Sequence, residues 1–313
     1  MLVKSSRLTG AEADELLDLY QRISTDLSVL RSESPDPGLI RYLSGLLTQA
    51  RVLTSGRRSM SWRAPVHFLT EAFPAALYRL RWWWVSVAVL NVLFAVAVGW
   101  WASTHPDVYA QSMTSEQIKA YVETDFANYY SEFPHHEFAA LVWVNNAWVS
   151  AQAIAYGILG LPVLYVLATN VVNLGVAGAL MITHGRGALF FGLILPHGLL
   201  ELTAVFVAGA TGLRLFWSWI EPGAKTRLQS LAAEGRRAIG MALGLAVVLF
   251  VSGLIEGFVT PSGLPTWARI TIGIIAESLL IAYVWVVGGR AYRAGETGDL
   301  DASYLPDELP VAA

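Results

Sequence analysis

Long apolar runs separated by short polar stretches dominate the chain from residue 82 onward. A helix that crosses a bilayer needs about 20 apolar residues, and six runs are long enough: 82–103, 138–159, 161–183, 187–213, 238–258 and 267–289. Residues 1–80 are polar, with leucines at helical spacing on both sides of a Pro-Asp-Pro-Gly stretch at 35–38. The pattern predicts an all-α membrane protein with six transmembrane helices and an N-terminal cytoplasmic helical domain.

The same pattern divides the chain into three parts. Residues 1–80 are predicted to form the cytoplasmic domain, residues 81–293 the transmembrane domain with an outer loop at 104–137, and residues 294–313 an acidic disordered tail. Within the outer loop, residues 114–130 are amphipathic and predict a helix on the membrane surface. Residues 187–220 are long for one crossing. We interpret them as one helix kinked at Pro196, with a broken or re-entrant segment as the alternative.

Lysine and arginine are distributed unevenly around the apolar runs. The outer loop has Lys119 as its only base and six acids, whereas bases cluster before the first run, between the fourth and fifth, and after the sixth. Cytoplasmic loops of membrane proteins carry an excess of lysine and arginine. Six crossings with both termini in the cytoplasm satisfy this distribution, and Arg186 and Arg269 are the exceptions.

The composition supports a membrane protein and excludes several kinds of site. The chain is 55% hydrophobic and 14% charged, whereas soluble domains are about 25% charged. Its net charge of −3 and the absence of a basic motif argue against nucleic acid. Because it has no cysteine, disulfides, iron–sulfur clusters and thiolate zinc sites are excluded. No serine–histidine motif, phosphate loop or nucleotide fingerprint is present.

The most informative polar residues are His197 and Glu201, four residues apart in the fourth run. Residues at this spacing lie on one face of a helix, and ionisable residues within a membrane span are costly and mark candidate functional sites. At 1.5 Å per residue, His197 lies roughly 15 Å from the outer end of its helix. Glu277 comes at a similar depth, whereas Glu256 is about 10 Å shallower.

Three asparagines, in the second and third runs, come at comparable depths. If the helix faces converge, the polar residues form one buried cluster across the outer half of the bundle. Its members are Asn145, Asn146, Asn173, His197, Glu201, Glu256 and Glu277.

Three interpretations of this cluster stay open. The asparagines are typical of hydrogen bonds between helices in lipid. His197 and Glu201, with Glu277 or Glu256, are candidates to bind a divalent metal or activate water, although zinc needs three or four ligands. The carboxylates are also candidates for proton coupling or for binding a cationic group. No complete catalytic constellation or required cofactor is predicted, so a non-enzymatic role is favoured, with a divalent metal and hydrolysis as the alternative.

Several ordered motifs resemble the stage II sporulation protein M family, in its non-sporulating bacterial branch. Each motif is unspecific alone, but their order over residues 10–290 is fairly specific. The motifs are Asn145-Asn146, GILG at 157–160, NVVNLG at 170–175, LPHGLLE at 195–201, GATGL at 209–213 and IEGFVTPS at 255–262, with Phe73-Pro74 before the first span.

The resemblance implies a polytopic protein of the bacterial inner (cytoplasmic) membrane. The implied role is a scaffold or coupling component of a complex that remodels the cell envelope and its peptidoglycan. Relatives accompany a MoxR-type ATPase and an RDD-family membrane protein, so these, other envelope-remodelling proteins, membrane lipids and a second copy of the chain are the expected partners. A transporter or lipid-handling channel and a metal-dependent intramembrane hydrolase are the alternatives.

Overall fold

The computed structural model describes residues 10–33, 37–54, 62–107, 113–131 and 134–299 of the 313-residue chain. The described residues form helices and connecting turns, without a β-strand. The chain divides into two units with the boundary between Ala64 and Pro65, before the boundary at residue 80 that the polar composition suggests. Of the predicted acidic tail, residues 300–313 lie outside the described residues.

The first unit contains the two helices that the leucine spacing predicts. They are α1 (Gly10–Glu33) and α2 (Pro37–Thr54). The helices pack against each other, and Leu27 of α1 is buried. Asp18 and Arg22 form an exposed ion pair of 2.7 Å along α1. Because exposed pairs contribute at most about 1 kcal/mol, apolar contact is the main stabilising interaction here.

The second unit is a bundle of longer helices. Its first helix is α3, which begins two residues before the boundary and comprises Arg63–His67, the π-helical turn Phe68–Ala72 and Phe73–Arg79. There follow α4 (Arg81–Thr104), α5 (Ser115–Ala120, with further turns to Tyr129–Ser131), α6 (His135–Ala155), α7 (Leu161–Thr183), α8 (Gly187–Ile220), α9 (Arg227–Leu254 and the π-helical turn Ile255–Val259) and α10 (Thr266–Ala282, Tyr283–Gly288 and Gly289–Arg293).

Five of the helices formed by the described residues are long and apolar enough to cross a membrane: α4, α7, α8, α9 and α10. The sixth predicted span, 138–159, is helical as α6 but is not among these five. Asn145, Asn146 and Gln152 lower its mean hydropathy. The prediction of one continuous helix over 187–220, rather than a broken or re-entrant segment, is confirmed, since α8 continues without a break past Pro196.

Helix α8 lies at the centre of the bundle and contacts α4, α6, α7, α9 and α10. Its residues 204–212 are all buried. The approach of α6 is closest at Gly212, where an added Cβ would lie 2.2 Å from the carbonyl oxygen of Ala153. Since no side chain fits this gap, glycine at 212 permits direct contact between the two helix backbones.

Helices α8 and α10 run in the same direction. Thr266, the first residue of α10, lies against Gly192, and the Thr203 hydroxyl donates to Glu277 Oε1 at 2.9 Å further along both helices. The two contacts therefore set the register between α8 and α10.

The segment between α4 and α6 is helical, as its amphipathic pattern predicts. A capping box begins it: the Thr114 hydroxyl accepts from the Gln117 backbone N–H, and the Gln117 side chain accepts from the Thr114 N–H. Phe126 stacks on Phe190 of α8, with ring centroids 5.6 Å apart. The segment is thus anchored to the end of the bundle at which α8 begins.

Candidate functional site

A buried group of His197, Glu201 and Glu256 lies between α8 and α9. His197 and Glu201 occupy one face of α8, as their spacing predicts, and Glu256 lies in the π-helical turn at the end of α9. His197 Nε2 is 3.7 Å from Glu256 Oε1. One side-chain ligand atom from each of the three residues lies within 4.8 Å of the other two.

Burial and hydrogen bonding differ among the three residues. The side chains of His197 and Glu256 are each 5% exposed, whereas Glu201 is half-buried and lies beside the Asn146 side chain. Glu256 Oε2 is buried and has no hydrogen-bond partner among the described residues. An unpaired buried carboxylate oxygen is costly, so this atom is available for a ligand.

The imidazole of His197 has a defined neighbour at each ring nitrogen. Nδ1 is 3.2 Å from Thr260 Oγ1, and the Thr260 hydroxyl donates to the carbonyl oxygen of Ile255 at 3.4 Å. In the tautomer with a protonated Nδ1, the Nδ1–H donates to Thr260 Oγ1 and the single hydroxyl proton of Thr260 goes to the Ile255 oxygen. In the neutral ring this leaves Nε2 unprotonated and directed toward Glu256.

Tyr130 closes the site from the α5 side. Its ring lies 5.8 Å from the His197 ring, and the residue is 5% exposed. Burial raises the pKa of the Tyr130 hydroxyl, and the carboxylates of Glu256 and Glu201 raise it further. The hydroxyl therefore stays neutral over the physiological pH range and can donate or accept a hydrogen bond.

The structure brings together four of the seven predicted site residues: His197, Glu201, Glu256 and Asn146. Asn145 and Asn173 are exposed on the surface of the chain and do not belong to the buried cluster, contrary to the expectation. Consecutive helical residues point about 100° apart, so Asn145 cannot share the face of Asn146. Glu277 is half-buried and pairs with Thr203 instead.

Three residues at the site were not singled out from the sequence. Ser252 donates to the backbone oxygen of His197 at 3.0 Å, while Thr260 and Tyr130 contact its ring. A signal existed for the first two, because Ser252, Glu256 and Thr260 recur every four residues in one stretch of chain. Tyr130 had no such signal beyond the apolar face of its segment.

A second charged cluster, also missed, lies at the other end of the bundle. Arg79 of α3 donates to both oxygens of Glu234, Nη1 to Oε1 at 3.0 Å and Nη2 to Oε2 at 2.8 Å. Arg237 donates to Glu234 at 3.1 Å, and Arg214 lies 3.8 Å away. Since Arg237 also lies 3.8 Å from Asp299, the cluster connects α3, α8, α9 and the segment after α10.

The three-residue group has the donor types of a metal site. Its imidazole nitrogen and two carboxylates are ligands that a divalent cation accepts. A second His–Glu–Glu group, His67, Glu71 and Glu296, is more exposed. The buried group is the stronger candidate because solvent does not compete for its donors.

Comparison with known families places the site within a matched family domain. Residues 88–261 match the family model described as Stage II sporulation protein M, a range that contains His197, Glu201, Glu256, Asn146 and Tyr130. Residues 1–56 match a domain of unknown function (DUF8413). No curated protein and no solved structure matches the chain.

Proposed function

The chain belongs to the Stage II sporulation protein M family, and from that premise we propose that it is a scaffold or coupling component of a complex that remodels the cell envelope. The family match is the observation that carries this proposal. The expected partners are peptidoglycan-remodelling proteins, a MoxR-type ATPase and an RDD-family membrane protein, with a second copy of the chain as a further partner.

The proposed location is the bacterial inner membrane, with six crossings and both termini in the cytoplasm. Helix α6 supplies the sixth crossing, since its 21 residues span about 31 Å at 1.5 Å per residue. The arginines around Glu234 then lie at the cytoplasmic end, and the acidic α5 segment lies outside. This arrangement agrees with the excess of basic residues in cytoplasmic loops.

Cysteine accessibility in intact cells tests this topology, because the natural chain has no cysteine. A Glu116→Cys variant should react with a membrane-impermeant maleimide added from outside. A Lys225→Cys variant should react only after the cells are opened. The reverse pattern would disprove the orientation, and external labelling of both would disprove the six crossings.

Coupling is supported by the contact between the α5 segment and the buried site. Tyr130 reaches the His197 ring from a segment that, in the proposed topology, faces the envelope. A partner that displaces α5 would therefore change the packing around His197. In the same way, a change at the buried group would alter its contact with Tyr130 and so the position of the α5 segment at the envelope-facing surface.

Cross-linked affinity capture from native membranes tests the coupling role. The tagged wild type should recover envelope-remodelling proteins that an unrelated tagged polytopic protein does not. Tyr130→Ala, which removes the ring contact, should reduce this recovery severalfold, whereas Tyr130→Phe should retain it. Identical recovery by wild type and the unrelated protein would refute the proposal, provided that both variants insert with wild-type topology.

The convergence of His197, Glu201 and Glu256 favours a second candidate, a metal-dependent intramembrane hydrolase. Purified protein supplied with zinc should then cleave a lipid or peptide of the native membrane, detected by mass spectrometry. Cleavage should be lost in Glu201→Gln. Equal product from wild type and this variant would eliminate the candidate.

A further inference from the structure

We infer that His197, Glu201 and Glu256 form a binding site for one divalent transition-metal cation of the zinc type. This inference goes beyond the coupling role and does not depend on it, because metal content is measured on the purified protein. It is a prerequisite of the hydrolase candidate, but it does not require catalysis.

The donor geometry fits one ion. Ligand atoms about 2.1 Å from a tetrahedral ion lie about 3.4 Å from one another. His197 Nε2 and Glu256 Oε1 are already 3.7 Å apart. All three ligand atoms lie within 4.8 Å of one another, so side-chain rotations that move the Glu201 carboxylate by up to about 1.4 Å bring it into the same coordination sphere.

The charge of the group calls for a cation. No Lys or Arg side chain among the described residues lies within the 4.0 Å ion-pair distance of Glu201 or Glu256. Arg269, a nearby base, instead donates to the backbone oxygen of Thr260. Two carboxylates inside a membrane bundle are costly unless neutralised, and one divalent ion neutralises both.

Neighbouring polar groups orient the side chains of His197, Glu201 and Glu256 as metal ligands. In the tautomer that can bind metal through Nε2, Thr260 Oγ1 accepts the Nδ1–H of His197, and the Asn146 side chain lies beside Glu201. Outer partners of this kind orient the ligands in metal sites. The unpartnered, buried Glu256 Oε2 is an independent indication that something belongs between these side chains.

The donor set selects the class of metal. Calcium takes six to eight oxygen ligands, and magnesium requires near-octahedral oxygen coordination. One imidazole and two carboxylates suit zinc, which in open sites binds three protein ligands and a water.

Metal titration of detergent-purified full-length protein tests the site. The exposed group of His67, Glu71 and Glu296 is a potential adventitious site, so Glu71→Gln is included as the background in every sample. We expect one Zn²⁺ per chain by mass spectrometry and calorimetry, and a melting temperature that rises with Zn²⁺. Glu256→Gln and His197→Gln should each weaken binding at least tenfold.

Glu277→Gln is the matched control, because it neutralises a half-buried carboxyl group in the bundle outside the site. This variant should bind Zn²⁺ as the background protein does. The inference would be overturned if Glu256→Gln and His197→Gln bound Zn²⁺ as tightly as the Glu71→Gln background protein. It would also be overturned if Glu71→Gln by itself abolished Zn²⁺ binding. Size-exclusion profiles establish that each variant is folded. If the two site variants are misfolded, background protein that binds neither Zn²⁺ nor Mn²⁺ still refutes the site.

Discussion

Replacing Gly212 by alanine should weaken the packing of α6 against α8. The added Cβ would lie 2.2 Å from the Ala153 carbonyl oxygen, where real Cβ atoms essentially never come closer than 3.0 Å. The obstacle is backbone, so no side-chain rotation relieves it, and the helices must separate by about 1 Å. Gly157 adds to the constraint, because its own hydrogen faces the Gly212 backbone.

The magnitude follows from two opposing contributions. Overpacking a close contact costs about 1–3 kcal/mol, and a rigid backbone atom places this contact at the upper end. Alanine regains about 1 kcal/mol over glycine through helix propensity. The net expectation is a loss of about 2 kcal/mol in the free energy of unfolding. This corresponds to a melting temperature about 3 °C lower for a protein of 313 residues.

Gly235→Ala is the matched control for this prediction. Gly235 lies within α9, and nothing is within 4 Å of its added Cβ. The same substitution there should raise the stability by about 1 kcal/mol, since only helix propensity changes. Thermal unfolding in detergent, followed by circular dichroism, compares the two variants. Equal melting temperatures for Gly212→Ala and wild type would refute the close-packing argument, as would equal losses in both variants.

Three further substitutions test other parts of the structure by the same melting assay. Glu234→Gln leaves three arginines facing a neutral group and should lower the free energy of unfolding by about 3 kcal/mol or more. Asp18→Asn, at the exposed ion pair, should lower it by less than about 1 kcal/mol. Equal losses in the two variants would contradict this prediction. Ser150→Ala removes a buried hydroxyl that has no partner among the described residues, so stability should stay equal or rise, and a marked loss would reveal a missed partner. Thr226→Ala breaks the capping box of α9 and should cost about 1 kcal/mol, which Thr226→Ser should restore.

The helices were predictable because the membrane-spanning pattern depends only on local composition. Residues 161–183 form α7 with the predicted bounds, and the first span differs by one residue at each end. The pattern failed where helices continue into polar sequence. Helix α9 begins at Arg227 rather than near residue 238, because the Glu234–arginine cluster satisfies the charges along its first turns.

The candidate site was predictable only in part, because spacing along a helix does not determine its rotation toward its neighbours. The i,i+4 relation of His197 and Glu201 depends on one helix alone, and it held. The direction in which Asn145 and Asn173 point depends on how α6 and α7 are rotated about their axes relative to α8. No local sequence pattern predicts this rotation. Both side chains are exposed.

The sequence also does not determine whether Glu256 or Glu277 lies at the same depth in the bundle as His197. Counting residues from helix ends assumes that all helices begin at one level. The contact of Thr266 with Gly192 shows that α10 begins five residues below the start of α8, about 7–8 Å. The turn between α9 and α10 is lowered with it, and this brings Glu256 to the level of His197.

The same offset carries Glu277 away from the site. Its bond with Thr203 places it six residues beyond His197 along α8, about 9 Å deeper. The first turn of α8, which extends beyond the start of α10, is where Phe126 of α5 stacks on Phe190. The offset between α8 and α10 therefore determines which carboxylate reaches His197.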